Sequence, residues 1–107
     1  METNERLDKL FFALSDRRRR AILEELSENQ KTVGELASKF SLSLGAISKQ
    51  LSLLEKANLI YKTKQGRQVY CHMNFDVWKE VTGYINMQAK FWNNRLDELE
   101  QFINKRG

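Results

Sequence analysis

At 107 residues the chain has the length of one ordinary domain, enough for a modest core and short for a large pocket enclosed by its own atoms. Apolar residues make up 41% and charged residues 30%, a balance that fits a folded globular chain and argues against disorder. No run approaches the ~20 apolar residues of a membrane helix, and the start METNERLDKL is too polar for a secretory signal, so no membrane partner is expected and the expected location is the cytoplasm. The lone cysteine, Cys71, excludes an internal disulfide and a multi-thiolate zinc site within one chain. Net charge is only +4, from 18 Lys and Arg against 14 Asp and Glu, so placement matters more than size. Basic residues collect at Arg17–Arg20, at Lys49 and Lys56, and at Lys62, Lys64 and Arg67.

With no proline and no Gly/Ser-rich stretch, the chain shows no linker, and one domain over residues 1–107 is expected. Leu7, Leu10, Phe11 and Leu14 recur at three- and four-residue steps, predicting a first helix with Thr3 or Asn4 as its N-cap. Ser15 followed by Asp16 can cap a second helix carrying Ala21, Ile22, Leu23 and Leu26, which the polar stretch Ser27–Lys31 ends. Thr32 and Glu35 have the spacing of a capping box, opening a short third helix with Val33, Leu36, Ala37 and Phe40 inward. Ser41–Ser43 is a turn whose last serine caps a fourth helix running to about Lys56, with Ile47, Leu51 and Leu54 as its buried stripe. Ala57–Asn58 closes it, since asparagine tolerates the left-handed conformation.

Leu59–Lys64 and Gln68–Asn74 read as two strands around a Gln65–Gly66–Arg67 turn, a β-hairpin. From about Asp76 to Ile103 apolar residues keep helical spacing, weakened only at Gly83, and predict one long helix. At ~1.5 Å per residue such a helix outruns what so small a domain can cover, so a second molecule is expected to bury part of it. The expected fold is mainly α with a small β-hairpin: four helices, two strands and a long C-terminal helix, in that order.

Two short helices joined by a tight turn, followed at once by a basic hairpin, is the arrangement of a winged helix-turn-helix module. On the fourth helix Gly45, Lys49, Ser52 and Lys56 lie opposite the apolar stripe, with Ala46 and Ser48 beside them, a small, polar and basic face suited to the major groove of double-stranded DNA. Leu44, Gly45, Ala46, Ser48 and Lys49 are assigned to the groove, because N-terminal residues of a recognition helix meet base edges. Ser43, Gln50, Ser52 and Lys56 are assigned to phosphates, with a helix C-terminal cation as the competing role of Lys56. On the hairpin, Lys62, Lys64, Gln65, Arg67 and Gln68 surround the tip, and Arg67 is the leading candidate for the minor groove or a phosphate.

The stretches ALSDRRRRAIL, TVGELASKFSLSLGAISKQLSLLEKANLI and KTKQGRQVYCHMN resemble the ArsR/SmtB family of bacterial winged-helix repressors over nearly the whole chain. The resemblance implies a homodimer with the first and last helices packed across the two-fold axis, about 4–14 and 76–103, and a palindromic operator. The surplus apolar surface at Leu7, Leu10, Phe11, Phe91, Trp92, Leu96 and Leu99 fits that interface. The sequence also departs from the family. Its third helix, Glu35–Phe40, carries no thiol, no histidine follows His72, and Arg17 stands where members commonly have the proline of an Asp-Pro-Thr-Arg start. Cys71 and His72, adjacent on a strand, point to opposite faces, so no metal site is expected and Cys71 reads as a strand residue. The Arg17–Arg20 run is open between phosphate contact and salt bridges to Asp16, Glu24 and Asp8.

The expectation is therefore a DNA-binding repressor that needs no cofactor and does not sense metal, with an unknown effector. The alternative is a winged-helix module that binds protein, for which DNA affinity would show no steep salt dependence. An enzyme is not expected: there is no glycine-rich phosphate loop, no Cys/His pair set for nucleophilic catalysis, and no carboxylate cluster apart from helical solvent faces.

Overall fold

The computed structural model describes residues 2–106, with side chains for 4–105. The elements are α1 (Glu2–Leu14), α2 (Arg17–Glu28), β1 (Lys31–Thr32), α3 (Val33–Lys39), α4 (Leu44–Lys56), β2 (Ile60–Gln65), β3 (Gln68–Met73) and α5 (Phe75–Arg106). They divide into two compact units, one up to Val77 and one from Trp78 on.

In the first unit, the caps anticipated for α2 and α3 hold. Asp16 accepts from the Arg19 amide at 3.1 Å and starts α2. Thr32 accepts from the Glu35 amide at 3.0 Å while the Glu35 carboxylate accepts from the Thr32 amide at 3.1 Å, a complete capping box. That backbone hydrogen bond, aided by the Thr32 hydroxyl, holds the Glu35 carboxyl below its usual range. The cap expected for α1 differs: the helix already begins at Glu2, so Asn4 lies within it, and the Thr3 side chain falls outside those described.

The hairpin is joined by a third strand. β1 pairs antiparallel with β3, Lys31 opposite Cys71 and Thr32 opposite Tyr70, giving the order β1-β3-β2. Lys31 follows the end of α2 and Thr32 is itself the cap of α3, and pairing satisfies backbone groups that a bare turn would leave open. β2 and β3 pair from Ile60 opposite Met73 to Gln65 opposite Gln68. The turn between them has Gly66 at φ 64, while Arg67 keeps negative φ, the pattern of a two-residue type II′ hairpin. Asn58 at φ 60 ends α4 as expected, and Ser41 at φ 53 takes the same left-handed conformation after α3.

Ile22, Leu36, Ile47, Leu51, Leu54 and Leu59 are enclosed almost completely, each stabilising the fold by roughly 1.5–3 kcal/mol relative to exposure. They bring α2, α3, α4 and the start of the sheet onto one core. Leu10 and Ala13 of α1 join it, Leu10 being 4% exposed. This corrects the placing of Leu10 on an intermolecular face: its side chain is already used inside the chain. Phe11 and Phe12 of α1 are exposed instead.

The arginine run has a role that its composition hides. Arg19 is buried, donating from Nε to the Ala13 carbonyl at 2.8 Å and from Nη2 to the Phe12 carbonyl at 2.9 Å. Arg20 donates to the Leu14 carbonyl at 2.7 Å. The last turn of α1 leaves carbonyls without intrahelical partners, and two cations from the next helix fill them. Among the described residues neither guanidinium forms a salt bridge with Asp16, Glu24 or Asp8, and Arg17 and Arg18 remain exposed.

The second unit is the remainder of α5. Phe91, Trp92, Leu96, Leu99, Phe102 and Ile103 are all more than 49% exposed along it. Phe91 meets Trp92 edge to face at 5.5 Å, and the Arg95 guanidinium sits 5.5 Å from the Phe91 ring centre. No helix among the described residues is long and apolar enough to cross a membrane.

Candidate nucleic-acid interface

The helix-turn-helix is built by α3, the bend at Ser41–Ser43, and α4. After α3, the Leu42 amide donates back to the Ala37 carbonyl at 2.9 Å and the Ser41 amide to the Ser38 carbonyl at 3.2 Å, closing the helix while the chain turns. Ser43 then caps α4, its hydroxyl oxygen accepting from the Ala46 amide at 3.1 Å. The Ser43 O–H remains able to donate to a phosphate.

The α4 surface divides as its periodicity dictates. Ile47, Leu51 and Leu54 are buried; Ser43, Leu44, Gly45, Ser48, Lys49 and Lys56 are exposed; Ala46 and Ser52 are half-buried at the margins. Leu44, at the N-terminal end of the helix, leaves 62% of its surface in water. A Cβ added at Gly45 would meet nothing nearer than the Ser43 hydroxyl at 4.0 Å, and its φ is not positive. Nothing within the chain requires glycine there.

Gln50 departs from its expected role. It is half-buried, and its side-chain oxygen accepts from Arg19 Nη1 at 3.3 Å, which ties it to α2 within the chain.

On the wing, Lys64, Gln65, Arg67 and Gln68 are exposed around the Gly66 turn, as anticipated. Lys62 is not at the tip. It lies opposite Cys71, and its ammonium sits 3.4 Å from the Glu55 carboxylate of α4, so its charge bridges helix and strand. A pair this exposed adds little stability, but it partly neutralises Lys62.

The sheet places Cys71 and His72 on opposite faces. Cys71 is fully enclosed, and burial pushes its thiol up despite nearby Lys62. His72 stacks on Tyr61 with ring centres 4.7 Å apart and its Nε2 lies 2.7 Å from the Thr63 hydroxyl. Among the described residues no three His, Cys, Asp or Glu side chains come together in a group able to hold a metal ion.

The apolar residues assigned to an interface fall into two groups. Phe91, Trp92, Leu96 and Leu99 are exposed on α5 and Phe11 on α1, whereas Leu7 is half-buried and Leu10 enclosed. Phe12, at 59% exposure, and Ile85, Phe102 and Ile103 are exposed apolar residues outside the expected set. Phe12 was within reach of the sequence, since Leu10 and Ala13 fill the inward stripe of α1 and leave Phe12 on the opposite side.

A family model described as "Bacterial regulatory protein, arsR family" matches residues 16–62, from the cap of α2 into β2. The transcriptional repressor SdpR of Bacillus subtilis is 31% identical over 93 residues, covering 87% of this chain and 100% of that protein. The HTH-type transcriptional regulator Rv2034 of Mycobacterium tuberculosis is 32% identical over 111 residues, covering 100% of this chain and 97% of that one. Among solved structures, an ArsR-like transcriptional regulator from Rhodococcus sp. RHA1 superposes with a TM-score of 0.85 at 27% identity, covering 97% of this chain and 95% of that chain. With a winged helix-turn-helix at its centre and full-length relatives that are regulators, the chain belongs to the ArsR family, as a DNA-binding transcriptional regulator and not an enzyme.

Proposed function

We propose that this regulator is a homodimeric repressor that inserts α4 into the major groove of a palindromic operator and lays the β2–β3 wing on the minor groove or the flanking phosphates. The carrying observation is the outward face of α4, where Leu44, Gly45, Ser48 and Lys49 stand free of the core at the N-terminal end of the helix. Short or absent side chains permit close approach, and Lys49 supplies a donor for guanine acceptors. Ser43, Ser52 and Lys56 on the helix and Lys64, Gln65 and Arg67 on the wing add donors for phosphate. The repressor assignment draws on the name of the full-length relative SdpR. The dimer assignment draws on the exposed apolar residues of α1 and α5, which a second copy would cover.

Selecting bound sequences from random duplex DNA tests this reading. A palindrome with half-sites about one helical turn apart is the expected product, and affinity for it should fall steeply with salt as phosphate contacts release counterions. Recovery of no preferred sequence would remove the groove assignment.

Gly45 gives a sharper check. Gly45→Ala is expected to leave the melting temperature unchanged or raised, because alanine is the better helix former and has room. The same variant is expected to weaken operator binding, since the new methyl stands where the duplex must approach; wild-type affinity in a titration would take Gly45 out of the contact.

Control by metal is not part of the proposal. Cys71 is enclosed and His72 faces the other way, held by Tyr61 and Thr63, so the two cannot join on one soft-metal site without dismantling the sheet. Micromolar zinc, cadmium or arsenite is expected to leave the protein on its operator, and release in a fluorescence-anisotropy titration would overturn this.

A further inference from the structure

We propose that Arg19 is a positioning residue, which ties Gln50 of α4 to the C-terminal end of α1 and thereby sets the angle at which the recognition helix meets DNA. The proposal rests on the reading that α4 enters the groove.

Of the four consecutive arginines, Arg19 alone is buried, at 7% exposure. A guanidinium taken from water is costly unless its N–H groups find directed partners. Arg19 spends Nε and Nη2 on the Ala13 and Phe12 carbonyls of α1, at 2.8 and 2.9 Å, and Nη1 on the Gln50 side-chain oxygen of α4, at 3.3 Å. Its Cζ lies 5.2 Å from the Phe12 ring centre, and its own backbone is pinned by the Asp16 cap at 3.1 Å. The positive charge is set against the negative end of the α1 dipole rather than against a carboxylate.

One planar side chain of α2 therefore contacts two other helices. Its fork has fixed geometry, so a displacement of α1's last turn is transmitted to Gln50 in a way that a flexible ammonium could not reproduce. Gln50 follows Lys49 directly, between the buried stripe and the outward face of α4. A small rotation of α4 about its axis therefore swings Lys49 across the groove, where bidentate contacts tolerate only ~0.5 Å of error. Capping α1 would need only the two carbonyl bonds; the third bond, to Gln50, is the one that links dimer-side structure to the reading helix.

The test compares binding of the best duplex recovered by selection with binding of a shuffled duplex of equal length. Gln50→Ala is expected to lower the ratio of the two affinities roughly tenfold, as the loss of a single charge-assisted bond that holds orientation, with the salt dependence unchanged. Gln50→Glu, which presents a carboxylate to Arg19 and would repel a phosphate, is expected to keep the wild-type ratio. Arg19→Lys is expected to lower the ratio as Gln50→Ala does, and the double variant should lose no more than the worse single one.

An unchanged ratio in Gln50→Ala overturns the proposal. So does any loss shared by Gln50→Glu, which would make Gln50 a direct DNA contact, and so does additivity in the double variant. If circular dichroism shows that Arg19→Lys does not fold, the two Gln50 variants decide alone. A selection that recovers no preferred duplex removes the groove reading and this proposal together, whereas a recovered duplex with an unchanged ratio removes only this proposal.

Discussion

The Trp92→Glu/Leu96→Glu variant is expected to sediment as a monomer and to bind the operator roughly 10²–10⁴-fold more weakly, the avidity lost when two half-sites are no longer engaged together. Both residues lie on the exposed surface of α5, at 58% and 59% exposure, among six large apolar side chains between Phe91 and Ile103. An isolated exposed leucine is unremarkable on a protein surface, but six on one helix of a chain this small form a patch that calls for a partner. Burying each would contribute about 1.5–3 kcal/mol before the costs of association. A carboxylate at the centre of that patch would have to shed its water without a paired donor, which disfavours assembly strongly. The folded chain should tolerate the change, because glutamate is a good helix former and both side chains already face water. Far-UV circular dichroism checks that point. A dimer that persists in sedimentation, with wild-type operator affinity, would place the interface elsewhere.

The parts of the fold visible in the sequence were those governed by local chemistry. Asp16, Thr32 with Glu35, and Ser43 cap helices because each oxygen reaches an amide three residues on, and Asn58 and Gly66 take left-handed backbone where the chain must turn. The heptad-like recurrence of Ile47, Leu51 and Leu54 likewise identified the inward side of α4, and by subtraction its outward face. What stayed hidden depends on partners far along the chain. β1 is two residues long and exists because Lys31 and Thr32 meet Cys71 and Tyr70, some forty positions away, which no local pattern announces. The four arginines look alike in sequence, and only the arrival of α1's carbonyls and of Gln50 singles out Arg19 for burial. Charge and polarity alone assign Lys62 and Gln50 to DNA, whereas in the fold Lys62 also bridges to Glu55 and the Gln50 oxygen accepts from Arg19. Leu10 repeated with the outer residues of α1, yet the helix turns it into the core.

Lys49→Ala and Arg67→Ala are each expected to weaken operator binding without lowering thermal stability, and they should do so in different ways. Lys49 is exposed on the outward face of α4 and has no ion pair among the described residues, so in the proposed complex its ammonium is free to donate to guanine acceptors. A lost base contact of this kind costs about 1–3 kcal/mol and relaxes preference at one position of each half-site. Arg67 stands exposed at the wing tip beside Gly66. Its removal should weaken binding to operator and unrelated duplex alike, and reduce the slope of log affinity against log salt by about one for each protomer. Lys62→Ala is the control that separates position from charge. It removes the same formal charge from the same hairpin, but from a residue already bridged to Glu55 at 3.4 Å, and its effect on the salt slope should be the smaller. If Lys49→Ala and Arg67→Ala both bind as wild type, neither the groove face nor the wing is as assigned. If Lys62→Ala matches Arg67→Ala in salt slope, the wing acts through its overall charge and not through its tip.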